Sequence, residues 1–130
     1  KPYIQIPQYI QAADVLVLPN SRISKYKISA VHSEFDTSPT KLFEYMASST
    51  PIVAADMPSS REIVGENTAV FAEPDNPASF ANAISYVLDN PMLARQIAQN
   101  AKKESERYSW QRRAERILLF IRGRTGINGK

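Results

Sequence analysis

Asp36-Thr37-Ser38-Pro39-Thr40-Lys41-Leu42-Phe43-Glu44-Tyr45-Met46-Ala47-Ser48-Ser49-Thr50-Pro51-Ile52-Val53-Ala54-Ala55 is the stretch on which the fold turns. Ser38 followed by Pro39 reads as an N-cap and a first helical residue, because a serine hydroxyl accepts an orphan amide and proline is pre-set for the first turn. Leu42, Phe43, Met46 and Ala47 fall at helical spacing on one face, with Lys41, Glu44, Tyr45 and Ser48 on the other. One face is buried and the other reads solvent or ligand. After Pro51, the apolar run Ile52 to Ala55 suits a strand of a parallel sheet covered on both sides. The unit is helix, tight loop, buried strand.

Lys41 in the first turn is unusual, since a helix N-terminus carries roughly half a positive charge and a lysine there costs on the order of 0.3–1 kcal/mol without an anion. Two readings stand. Free amides and a lysine make a phosphate cradle; alternatively, Lys41 pairs with Glu44 across the surface at i,i+3, worth about 0.2–0.5 kcal/mol.

Asp36, seven residues, Glu44, and then Tyr-Met-Ala-Ser-Ser-Thr-Pro-Ile-Val-Ala-Ala resembles the donor-site segment of retaining GT-B glycosyltransferases of the group 1 family (family 4), whose pattern is Glu, seven residues, Glu, Ala-Met-Ala, a small residue and Pro-Val-Val-Ala. The likeness continues from Ile6-Pro7-Gln8-Tyr9-Ile10-Gln11-Ala12-Ala13-Asp14 through Pro58-Ser59-Ser60-Arg61-Glu62-Ile63-Val64 to Tyr108-Ser109-Trp110. The resemblance implies an α/β fold with a three-layer parallel sheet, the second half of a Rossmann-like GT-B C-terminal domain. It implies a nucleotide-sugar donor of UDP or GDP type, a hexosyl group transferred with retention, and a sugar, lipid or protein acceptor. By position, Glu44 falls on the donor ribose, Asp36 near the reacting sugar as the catalytic acid of the pattern, and Thr37, Ser38, Pro39 and Thr40 on the phosphates, with Lys41 beside them. Asp36 is one methylene shorter than the family's Glu. Thr37-Ser38-Pro39 replaces the usual Gly-Phe-Gly, and proline removes one amide donor. Lys41 then supplies charge in its place.

At 130 residues and 43% hydrophobic content, the chain can bury a core as one compact domain or part of one. It starts at Lys1 and shows no signal-peptide succession, so it reads as a piece of something longer. Residues 1–122 are expected to form the donor-binding subdomain, without the N-terminal domain or the first half of this one, and residues 123–130 a flexible tail. The isolated piece is expected not to turn over. No apolar run approaches the ~20 residues that span a bilayer. Cysteine is absent, which excludes disulfides and thiolate sites and fits a cytoplasmic location.

The basic excess lies near the C-terminus, where Lys102, Lys103, Arg107, Arg112, Arg113, Arg116, Arg122, Arg124 and Lys130 face only Glu104, Glu106 and Glu115. An ordinary solvated helix face is the favoured reading, over peripheral contact with an anionic membrane; no nucleic-acid partner is expected. The rival functional class is a non-catalytic binding or scaffold module that completes a partner.

Along the chain, Pro7 to Ala13 reads as a helix with Tyr9, Ile10 and Ala13 inward, and Val15 to Leu18 as a buried strand. The polar stretch that follows to Asp36 is a long loop at a strand's C-terminal end, either a binding lid or disordered. His32 within it, the only histidine, reads as a surface residue. Glu34 and Asp36 could hold a divalent cation, but the resemblance implies catalysis with no metal and no cofactor. Ser59 and Glu62 stand at capping-box spacing. Ala69 to Ala72 is a third strand, and Pro74-Asp75-Asn76-Pro77 opens a helix with Phe80, Ala83, Ile84, Val87 and Leu88 as its stripe. Asn90-Pro91 starts another, with Leu93, Ile97 and Ala101 inward. Ser109 caps a last helix from Trp110 to about Arg122. Its five consecutive apolar residues, Ile117 to Ile121, go round the helix. With the free edge of the first strand, they lead us to expect a homodimer of the fragment.

Overall fold

The computed structural model describes residues 2–22 and 40–125. A 3₁₀ turn at Tyr3–Gln5 leads into α1 (Ile6–Gln11), β1 (Leu16–Leu18), α2 (Thr40–Ala47), β2 (Ile52–Ala55), α3 (Pro58–Arg61) and β3 (Val70–Ala72). Then come α4 (Pro77–Asp89), α5 (Pro91–Ser105), a second 3₁₀ turn at Glu106–Tyr108, and α6 (Trp110–Thr125). The strands form one parallel sheet in the order β1-β2-β3, with Val17 opposite Val53 and Ala54 opposite Phe71. Bonds from the Leu16 amide to the Pro51 carbonyl (2.9 Å) and from the Asp56 amide to the Ala72 carbonyl (2.8 Å) extend the ladder past both ends of β2.

β2 is buried along its whole length, as a central strand covered on both faces must be. Alternation of side chains along a strand divides its residues between two cores. Ile52 and Ala54 join Leu18, Leu42, Met46, Val64, Ala69 and Ala101 under α2 and α5. Val53 joins Ala72, Ala83 and Val87 under α4, with Val15, Val70, Phe80, Ile84 and Ala94 packed against them. The result is a three-layer α/β architecture with a parallel sheet, as expected from the sequence.

The sequence-predicted elements recur with shifted ends: β1 starts at Leu16, β3 at Val70, and α1 ends at Gln11. Asn76 caps α4 by accepting the Ser79 amide (3.1 Å), and Ser109 Oγ accepts the Arg112 amide (3.2 Å) at the start of α6. The capping box at Ser59 does not form. Helix α3 begins at Pro58 after an extended Met57, two residues before the start that a Ser59 cap would set, so Ser59 lies inside it. The Ser59 and Ser60 hydroxyls are buried and have no hydrogen-bond partner among the described residues.

Tyr45 packs against the core while Ala47 is exposed, the reverse of the sequence expectation. At about 3.6 residues per turn, Tyr45 flanks the Leu42–Met46 seam as closely as Phe43 does, and Ala47 lies well off it. Tyr9 and Leu88 are exposed rather than inward. Helix α6 runs through Gly123 to Thr125, where the sequence suggested a tail. A Cβ at Gly123 would meet nothing within 4 Å, so the glycine sits on an open helix surface. The long loop's His32 and Glu34 lie outside the described residues.

Candidate functional site

In a parallel β-α-β unit the helix begins at the strands' carboxyl ends, where open sheets bind ligands, and α2 does so between β1 and β2. Leu42 and Met46 are completely buried on its inner side. Glu44 projects from the opposite side, and its wheel position follows from theirs. Thr40, Lys41 and Glu44 are all exposed, so the structure brings together three of the predicted site residues within little more than one helical turn. Asp36, Thr37, Ser38 and Pro39 lie outside the described residues. The ion pairs among the described residues join Arg61 to Asp56 and Glu66, Arg107 to Glu104, and Arg112 to Glu115; Lys41 is in none of them.

Glu44 lines a cleft of about 280 Å³ between α1 and α2, with Ile6, Pro7, Ile10 and Gln11 on one wall and Ala47 and Ser48 on the other. Pro7 and Ile10 offer flat apolar surface, and the Gln11 amide offers both a donor and an acceptor. Sequence reasoning read α1 as core packing and missed its role as a wall. None of its six residues is buried, a fact that the apolar spacing of the sequence did not signal.

A second polar group lies at the same end of the sheet. Asp56 follows β2 directly and takes Arg61 in a fork, Nε to Oδ1 at 2.7 Å and Nη2 to Oδ2 at 3.0 Å. The Arg61 guanidinium also stacks 3.7 Å from the Phe71 ring centroid. Its hydrogen bonds hold the Asp56 carboxyl below the usual carboxylate range; partial burial opposes this, and the charges of Arg61 and Arg22 reinforce it. Asp75, in the left-handed region at φ 61°, accepts the Ser21 hydroxyl with one oxygen and the Arg22 amide (3.0 Å) with the other. These bonds lower its pKa in the same way, the Ser21 hydroxyl most. They tie the segment after β1 to the turn after β3. Among the described residues no cluster of three or more His, Cys, Asp or Glu is placed to hold a metal.

Residues 1–104 match the family model of glycosyl transferases group 1. The chain belongs to that family. The group 1 chain is 29% identical over 84 residues to TuaH of Bacillus subtilis (strain 168), provisionally named a teichuronic acid biosynthesis glycosyltransferase; the match takes in 65% of this chain and 19% of TuaH. Its fold is that of the sucrose-phosphate synthase of Thermosynechococcus elongatus, with TM-score 0.66, 25% identity, 88% of this chain covered and 26% of that one. Anabaena HepE in complex with UDP superposes with TM-score 0.74 at 21% identity over 91% of this chain and 30% of HepE. The C-terminal domain of the group 1 protein LpcC of Francisella tularensis matches with TM-score 0.64 and 20% identity, over 83% of this chain and 50% of the domain. The group 1 chain thus spans about a fifth of TuaH and up to half of these solved chains. The architecture is that of the second half of a Rossmann-like GT-B C-terminal domain.

Proposed function

We propose that this chain is the donor-binding part of a glycosyltransferase that uses a UDP- or GDP-linked sugar and transfers a hexosyl group with retention. The observation that carries the reading is the position of Glu44, one turn into α2 and on the rim of the α1–α2 cleft. A diphosphate at the start of α2 meets Thr40 and Lys41, where the helix dipole and the lysine charge favour an anion. About 1.5 Å of rise per residue puts Glu44 some 6 Å further along the helix, the offset between a diphosphate and its ribose. The carboxylate accepts the ribose hydroxyls, and the base enters the cleft against Pro7 and Ile10. The family pattern assigns Asp36 to the sugar and the segment Thr37, Ser38 and Pro39 to the phosphates; all four lie outside the described residues. Catalysis consists mainly of electrostatic stabilisation of the leaving diphosphate, without metal or cofactor. The sugar, lipid or protein acceptor is held outside this chain, which binds donor without transferring it.

The test is calorimetric titration of the 130-residue chain with UDP and GDP. Glu44→Gln should weaken binding about ten- to hundredfold, the scale of a charged hydrogen bond. Glu62→Gln, on the exposed end of α3, should leave it unchanged. Equal effects of the two substitutions would contradict the assignment.

A further inference from the structure

One residue from each wall of the Glu44 cleft is hydrogen-bonded to a single buried residue outside it, one through that residue's hydroxyl and the other through its backbone amide. Thr50, 7% exposed, precedes β2. Its amide donates to Ser48 Oγ (3.1 Å), and Ser48 Oγ in turn donates to the Tyr45 carbonyl (2.7 Å) at the end of α2. Its own hydroxyl donates to the carbonyl of Ile10 (3.4 Å), forty residues away on α1. Ile10 and Ser48 line the cleft from opposite sides. Thr50 is therefore bonded to a residue of each wall, its hydroxyl to Ile10 and its amide to Ser48. Between Ser48 and Thr50, Ser49 stands in the left-handed region at φ 67°, which turns the chain tightly enough for its two neighbours to meet.

Resting on the donor reading above, we infer that Thr50 is a positioning residue that sets the width of the cleft and thereby the choice of base. A cleft whose walls are pinned discriminates between a one-ring and a two-ring base by shape; released, it closes less tightly on either. Thr50 touches no ligand in this account. It acts through Ile10 and Ser48.

The test measures UDP and GDP affinities of the 130-residue chain and its variants by titration. In Thr50→Val, which keeps the side-chain shape and loses the hydroxyl, affinity for the preferred nucleotide should fall about two- to tenfold, the loss of one neutral hydrogen bond. The UDP-to-GDP ratio should move toward one, and Thr50→Ser should restore it. A purely structural role would lower both affinities in proportion and leave the ratio unchanged, which would overturn the inference. So would a wild-type chain that binds the two nucleotides equally. If Thr50→Val does not fold, Ser48→Ala loosens the same junction from the α2 side and carries the same expectation. Loss of binding in Glu44→Gln with an unchanged ratio in Thr50→Val rejects the inference alone. Unchanged binding in Glu44→Gln rejects the donor reading and the inference with it.

Discussion

Helices α2 and α6 both carry clustered apolar residues and a basic side chain near one end, yet the structure treats them oppositely. In α2, Leu42 and Met46 sit at 0% exposure under α5 and against the sheet, which leaves Glu44 a defined outward direction. In α6, Ile117 to Ile121 are between 48% and 67% exposed. Apolar residues at i and i+4 define a seam and so orient everything else on the helix. Five in succession define none. Functional direction on a helix thus comes from which residues the core claims. No helix among the described residues is long and apolar enough to cross a membrane.

The largest effect that could break this contrast is at the α2 seam. Leu42→Ala should cost about 2–5 kcal/mol of stability, since a fully buried leucine leaves a cavity. Leu119→Gln in α6 should stay within about 0.5 kcal/mol. Urea melts of both variants check it, and similar losses would mean that α6 is held as firmly as α2. The turn after α2 sharpens the same point with the opposite sign. Ser49→Gly should stabilise by about 0.5–1 kcal/mol, the left-handed strain less glycine's greater unfolded-state entropy. A loss of stability there would show that the serine side chain holds the turn.

The smallest effect is acid dependence at the sheet's carboxyl edge. The folded pKa of Asp56 is depressed below 3.8 because Arg61 binds its ionised form. The ionised pair therefore contributes fully above 3.8, and that stability is lost as pH falls through the lower folded value. Both groups are more than a third exposed, so the contribution is modest. Asp56→Asn should reduce the drop in urea midpoint on acidification below pH 3.8; a drop as steep as in the wild type would place the pH sensitivity elsewhere.

Most of the fold could be read from the sequence because the apolar runs and the turn residues agree. Pro51 before Ile52 to Ala55 sets β2, and Asn76-Pro77 and Asn90-Pro91 open α4 and α5. Where local patterns misled, packing had overruled them. Ser59 and Glu62 have capping-box spacing, but the chain enters α3 at Pro58. Tyr45 looked polar-facing, yet it is large enough to cover the edge of the core. At the candidate site, the outward side of Lys41 and Glu44 was readable because the core seam of α2, Leu42 and Met46, fixes it. The α1 wall and Thr50 were not, since they depend on contacts some forty residues apart in sequence.

The account rests on donor binding along the outward side of α2, and amide chemical-shift mapping with millimolar UDP or GDP tests it most directly. Perturbations are expected at Thr40, Lys41, Glu44 and Ala47 and across the cleft at Ile10 and Gln11, with α6 silent. Nucleotide that leaves Thr40 to Glu44 unmoved, or that shifts α6 instead, would contradict it.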